Sequence, residues 1–538
     1  MDSKGAGFDY DYIVIGSGFG GSVSALRLSE KGYKVLVIEK GKWLDGKDFP
    51  KTNWNLPKWL WMPFFRFYGL FKITFFRHIT VLSGVGVGGG SLVYANTLPV
   101  PQKEFFNSGS WKHLADWENE LKPYYSLAHK MLGAEVNPKL VEGDLALKKM
   151  AQQMGIEDQF RPTKVAVYFG EAGRTVKDPY FEGKGPDRTG CVYCGGCMLG
   201  CRFNSKNTLD KNYLWLAQQL GAEIKAESEV MDVQPLSKDG GSGYEVSFQS
   251  STSLFKKKST LRSRGVVFSG GVMGTVNLLL KLKKKSLPNI SKLLGKQIRT
   301  NNEALIGITT FNKETDFSKG IAIGSILHTD ESSHLEPVRY SAGSGFWRLM
   351  MAPMTHGKNI FIRFIRIIID FFKHPINNLK VIFTRDFSRS TQILLFMQHL
   401  DSTLQFKKSW FGMGSTIEKG KKPSAFIPEA QGLAKNYGEI VDGKPMVLAS
   451  ESLLGIPTTA HILGGCPMGE NENQGVIDKD NKVFGYKNMY VCDGSMISAN
   501  PGVNPSLSIT AISERAMSQI PSREQRKTTV QAELENGN

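Results

Sequence analysis

Three groups of residues in this chain of 538 have the types and spacings that chemistry uses. The first is Gly16-x-Gly18-x-x-Gly21, with Glu39 closing the next apolar run. Gly16 permits a tight turn, Gly18 lets backbone amides approach a pyrophosphate, and Gly21 allows close helix–strand packing. The following helix N-terminus attracts phosphate charge, and Glu39 can accept a ribose hydroxyl. This pattern does not distinguish NAD from FAD. The second group lies near the C-terminus: His461-Ile-Leu-Gly-Gly-Cys466, then Cys492-Asp493-Gly494-Ser495, then Asn504-Pro505. A neutral histidine can take a hydroxyl proton, although a lone histidine is more often structural. The third is Cys191-x2-Cys194-x2-Cys197-x3-Cys201, the thiolate spacing of iron–sulfur ligation. Arg202 follows where a proline is usual, and no second set exists. Zinc and disulfides are the competing readings.

Regular elements must position these groups. Tyr12–Ile15 and Val35–Ile38 are apolar runs joined by helical spacing over Ser22–Lys31, which predicts a βαβ unit in a parallel sheet. The stretch GVGVGGG over 84–90 has no acid ending a following strand, so it reads as backbone packed against the cofactor. A strand–helix pattern recurs over 266–280. Asn504 and Pro505 read as an N-cap and first-turn proline for the helix that follows, whose positive end faces whatever lies before it. Alternations over 304–330 and 390–400 suggest a second domain built on a sheet.

Two stretches are unusually greasy. Ten of the residues from Trp54 to Phe76 are aromatic, and every charge among them is basic. Asn359–Phe372 carries Arg363, Arg366, Asp370 and, just beyond, Lys373 on one narrow polar stripe. Each stretch is either core or a surface that meets lipid. The net charge of +17 suits anionic headgroups. No polar basic stripe points to nucleic acid. The 41% hydrophobic content excludes a disordered chain, and no apolar run reaches the roughly 18 residues of a membrane span. No export signal is visible, and four of six cysteines cluster together. A cytoplasmic enzyme, in peripheral contact with the inner face of the membrane, is the expectation.

The segments IVIGSGFGGSVSALRLSEKGYKVLVIEKG, GVGVGGGSLVYAN, VVFSGGVMGTVNLLL and HILGGC…VCDGS…GVNPS…AISER together resemble the FAD-dependent glucose-methanol-choline (GMC) oxidoreductases. The likeness is greatest to their bacterial cholesterol-oxidase-like branch. It covers most of the chain in order and is weakest over 340–450. The fold expected is α/β. A discontinuous Rossmann-like FAD-binding domain with a parallel sheet takes 1–50, 78–300 and 455–520. An α+β substrate-binding domain takes 301–454, with 51–77 as a lid and 521–538 as a flexible tail.

By resemblance, FAD lies on Gly16, Gly18, Gly21 and Glu39, on Gly89, Gly90, Ser91 and Asn96, near Val230, and at Asp493 and Gly494. Tyr94 stands where the branch often has an asparagine, and Asn96 is the nearby replacement. His461 and Asn504 then face the flavin and the substrate hydroxyl. Glu336 falls where a carboxylate would shift a sterol double bond from Δ5 to Δ4; a structural glutamate is the other reading. The implied activity is oxidation of a hydrophobic secondary alcohol, a sterol such as cholesterol, with hydride to flavin and proton to His461. The alternative is an FAD/iron–sulfur dehydrogenase of a non-sterol lipid alcohol. It would hold its cluster on Cys191, Cys194, Cys197 and Cys201 and feed a quinone or an electron-acceptor protein. An NAD-dependent dehydrogenase and a non-catalytic lipid or electron carrier are the rivals from other classes.

Overall fold

The computed structural model describes residues 7–526 except 411 and 419–421. Val35–Ile38, Tyr10–Ile15 and Glu223–Lys225 form parallel neighbours, because the helix Phe19–Glu30 returns the chain to the same edge. Lys258–Phe268 continues the sheet, and its C-terminal half pairs in parallel with both Tyr10–Ile15 and Met489–Val491. Its N-terminal half pairs antiparallel with Tyr244–Ser250, which pairs antiparallel with Ser228–Pro235. The sheet is therefore mixed. The expected parallel core is present, and a meander extends its edge.

A second sheet is antiparallel, in the order Met351–Pro353, Gly443–Leu448, Ala304–Thr310, Thr391–Gln398, Ser333–Val338, Ser325–His328 and Phe160–Pro162. Strand alternation gives it two faces. Ile306, Ile308, Leu394 and Phe396 pack under the helices Glu142–Gln153 and Pro428–Ile440. Leu305, Ile393 and Leu395 point the other way, with Val338. Glu336 is register partner to Leu395, so it shares that second face. Residues 142–162, assigned to the nucleotide-binding domain by sequence, thus pack on the second sheet. Their non-local partners lie more than 140 residues away, beyond the reach of local pattern.

The aromatic stretch divides. Trp59 is fully buried, stacks on Phe71 and meets Trp347 edge-on, while Phe64 is 91% exposed at a hairpin tip. Residues 523–526 form a helical turn, and Arg526 bonds the Tyr12 hydroxyl and Asn488. Residues 527–538 of the expected tail lie outside the described residues.

Candidate active site

A cavity of about 480 Å³ is walled by residues of both sheets. Gly16, Gly18, Glu39, Gly89, Gly90, Val230, Asp493 and Gly494 line it on the side of the first sheet. Leu305, Ile323, Val338, Ile393, Leu395 and Leu448 line it on the side of the second, with Trp347 and Met351. His461 and Asn504 line the same cavity. The 463–466 segment is bonded to the nucleotide side through Gly464 N–H, which donates to Gly494 O. Just before that segment, His461 meets Glu303, at the head of the Ala304–Thr310 strand.

The glycines separate into packing and lining positions. A Cβ on Gly21 would meet Gly16 O at 2.1 Å, so Gly21 lets helix and strand touch and lies off the cavity wall. A Cβ on Gly18 would find its nearest atom at 4.0 Å, which leaves that backbone open. Gly89, at φ +53°, packs its own backbone on Gly18. The second glycine stretch therefore packs on the first, and its Gly89 and Gly90 also line the cavity.

These residues fit a dinucleotide. No side chain caps the helix at Gly18, so its first N–H groups are left for a phosphate. Lys40, Lys72 and Lys281 line the same region. Burial, with Lys40 adding to it, pushes the Lys72 ammonium down to about 8, a strain that an anionic ligand would relieve. Glu39 already accepts the N–H groups of Ser17 and Gly41 and the Ser17 hydroxyl, which fixes its carboxylate beside the loop.

Some expected residues stand elsewhere than their motifs imply. Ser91 and Asn96 do not line the cavity. The Ser91 hydroxyl donates to Gly88 O and accepts from Leu209 N–H, holding the loop's shape. Asn96, at φ +71°, is buried behind the wall beside Cys197. Tyr94, the departure from the family pattern, is what lines the cavity there. Pro505 is the N-cap of Ser506–Ser518, without a side-chain cap. Asn504 makes no cap because its amide sits beside Glu336. Its Oδ1 is buried with no protein partner.

Glu336 lies just behind the wall and is fully buried. Burial pushes its carboxyl up to about 8; the Asn504 amide opposes this and Glu303 adds to it. His334, 3.7 Å away, is pushed down to about 3 by burial and stays neutral. Sequence reasoning missed Glu303. Its Oε2 lies 2.6 Å from His461 Nδ1, and its Oε1 accepts the Ala460 N–H at 2.6 Å. This fixes the Nδ1–H tautomer and leaves Nε2 as the proton acceptor.

The cysteines do not meet the iron–sulfur expectation. Cys191, Cys194, Cys197 and Cys201 are free thiols around a void of about 20 Å³, room for about one water and far too little for irons and sulfides. Among the described residues no group of three or more His, Cys, Asp or Glu side chains is gathered to hold a metal ion. Burial, with repulsion from Cys194, raises the Cys197 thiol to about 11. The motif instead makes a clip. Buried Lys206 donates to the carbonyls of Leu92, Tyr94 and Cys197, tying the cysteine loop to the glycine loop. Thiol spacing alone does not report the size of the space between thiols.

The comparisons agree with this geometry. The N-terminal family model of GMC oxidoreductase matches residues 10–292, and its C-terminal counterpart matches 437–513. A cholesterol oxidase of Acinetobacter baumannii is 46% identical over 96% of this chain and 95% of its own. A cholesterol oxidase of Mycobacterium tuberculosis is 41% identical over 96% and 92%. Among solved structures, pyridoxine 4-oxidase from Mesorbium loti superposes with a TM-score of 0.61 at 14% identity, covering 95% of this chain and 98% of that one.

Proposed function

Because the chain belongs to the GMC oxidoreductase family, we propose that it oxidises the 3-hydroxyl of a sterol, cholesterol or a close analogue, to the ketone. Bound FAD supplies the hydride acceptor. The observation that carries the reading is one cavity that joins an apolar chamber to a dinucleotide cradle, with His461 and Asn504 in its wall. The glycine loop and helix N-terminus hold the cofactor's phosphates, and Glu39 its ribose. Leu305, Ile393, Leu395 and Trp347 enclose a rigid hydrocarbon and exclude water. Asn504 orients the hydroxyl, and His461 Nε2 takes its proton. Glu336, buried beside Asn504, is the candidate base for a Δ5 to Δ4 shift. Anaerobic mixing of the holoenzyme with cholesterol, a long-chain primary alcohol and a short secondary alcohol tests the substrate. Flavin bleaching should be fastest with cholesterol by at least about tenfold, since apolar walls discriminate through buried methylenes. A long-chain alcohol that bleaches as fast removes the sterol reading.

Peripheral membrane contact is part of the proposal. The helix Ile360–Lys373 has no buried residue, and its amphipathicity is inverted. Its polar stripe turns inward: Arg363 donates to Leu453 O and Gly357 O, Arg366 to His356 O, and Asp370 pairs with Lys444 at 2.7 Å. Its apolar side faces out, with Phe361 76% and Phe372 84% exposed. The next helix, Pro375–Ile382, adds exposed Ile376, Leu379 and Ile382. A helix in water hides such a face, and each Ile or Phe moved into lipid is worth about 1.5–3 kcal/mol. From Lys358 to Arg385 the basic side chains face a single acid, Asp370, already paired. The pair is also tied to the cavity wall, since Arg348, next to Trp347, donates to Thr384 O at 2.7 Å. Among the described residues no helix is long and apolar enough to cross a membrane. The protein is expected to float with phosphatidylglycerol vesicles at low salt, less at high salt, and not after Phe361→Glu and Phe372→Glu together. Flotation unaffected by that pair removes the helix as the contact.

A further inference from the structure

The hydroxyl proton needs a way out of a chamber that a sterol fills. His461 lines that chamber, and behind it the ring meets Glu303, whose side chain has no exposed surface. Glu303 holds the N–H groups of Ala460 and His461. A few residues back along the chain, the Thr458 N–H is held at 3.2 Å by Glu451. The two carboxyl groups thus grip one short segment from successive positions. Glu451 is also buried, yet it lines a different cavity, of about 290 Å³, whose walls include Arg77, His78, His356, Lys422 and Ser424. Arg77, His356 and Lys422 are exposed at that second cavity, so it reaches water. Glu451 does not line the active-site cavity, and His461 does not line the second one.

We propose that Glu303 and Glu451 form a proton path from His461 to the second cavity, separate from the chamber that holds the sterol. It rests on the alcohol-oxidation reading above. As the substrate O–H bond breaks, its proton goes to His461 Nε2 while the hydride leaves the carbinol carbon. The Nδ1–H bond then breaks and that proton passes to Glu303 Oε2. Glu303 hands it to Glu451, and Glu451 to water among the cationic walls of the second cavity. One proton leaves per alcohol oxidised. When the electrons go on to oxygen, peroxide needs two protons: the hydrogen that left the carbinol carbon accounts for one, and Nε2–H supplies the other as a proton returns through Glu451 and Glu303 to Nδ1, which restores the starting tautomer. Burial, opposed by the Thr458 contacts and supported by Glu303, keeps the Glu451 carboxyl at about 8. That value lets it both take and give a proton near neutral pH. A purely structural carboxylate on a backbone N–H would need no second cavity beside it.

The test follows the proton rather than the turnover. The holoenzyme is mixed anaerobically with cholesterol in weak buffer containing a pH-indicator dye, and dye and flavin absorbance are read together. In the wild-type protein one proton should appear per flavin bleached, in step with bleaching. In Glu451→Gln, which keeps an acceptor for Thr458 N–H but carries no proton, release should lag bleaching by at least about tenfold. Glu451→Asp should restore most of the coupling, and added imidazole, able to enter the second cavity, should do the same for Glu451→Gln. Prompt release in Glu451→Gln overturns the path alone, and so does a lag that neither Glu451→Asp nor imidazole shortens. A wild-type protein that cholesterol fails to bleach removes the substrate reading and the path with it.

Discussion

His461→Ala is expected to keep its FAD and to lose sterol-dependent flavin reduction by at least about 100-fold. The size follows from what the side chain does. Carbinol C–H cleavage leaves a carbonyl only if the O–H proton is taken up. Among the chamber-lining side chains only His461 combines a free ring nitrogen with a fixed tautomer, set by the 2.6 Å contact from Glu303 to Nδ1. Asn504 can orient the hydroxyl but cannot accept its proton. FAD binding should survive, because the cradle at Gly18, Gly89 and Gly494 makes no use of the imidazole. Visible absorbance of the purified variant checks retention, and anaerobic stopped-flow bleaching checks the rate. A rate within a few-fold of wild type would remove His461 as the base. His461→Gln is the companion variant. It keeps polarity but no basic nitrogen, so it should be as slow as the alanine if proton transfer is the reason.

The parts of this site legible in the sequence are those that local spacing defines. The βαβ glycines, His461 within HILGGC and Asn504 before Pro505 could be named because each motif carries its own geometry. Glu303 could not. It lies 158 residues from His461 in the unremarkable run Asn-Asn-Glu-Ala-Leu, and only the second sheet brings it under the imidazole. Ser91 and Asn96 stand back from the wall for a related reason. A loop with φ +53° at Gly89 and +71° at Asn96 turns its side chains away from the direction that a motif implies. The cysteines show the same limit from the other side. Their spacing matches a cluster loop, while the size of the space between them, walled in part by Lys206 and Phe203, is set by the fold. The Ile360–Lys373 helix was recognisable as amphipathic, but sequence does not say which face meets the protein. Arg363 and Asp370 decide it, through carbonyls and a lysine far along the chain.

Glu336→Gln is expected to separate two reactions of the sterol. Moving a double bond from Δ5 to Δ4 requires a base that lifts a proton from C4 and returns it at C6. A carboxylate close to the ring and short of hydrogen bonds is suited to that. Both oxygens of Glu336 are buried without a protein hydrogen-bond partner of good geometry. The groups around it are Asn504, neutral His334 and Glu303. Glutamine has the same volume and cannot carry the proton, so the shift should fall by about 10²–10⁴-fold while oxidation continues. The Δ5 ketone should then accumulate, which chromatography of the products would show. The pH dependence has a definite sign. Burial raises the carboxyl to about 8, so the basic form is scarce at pH 6 and grows as pH rises through that value. In the wild-type protein the Δ4 share of early product should rise as pH passes through about 8 and level off above it. Glu336→Gln should show a low share at every pH. A wild-type enzyme that releases only the Δ5 ketone, or a glutamine variant that still makes the Δ4 ketone at the native rate, would leave Glu336 as a buried acid with no part in the chemistry.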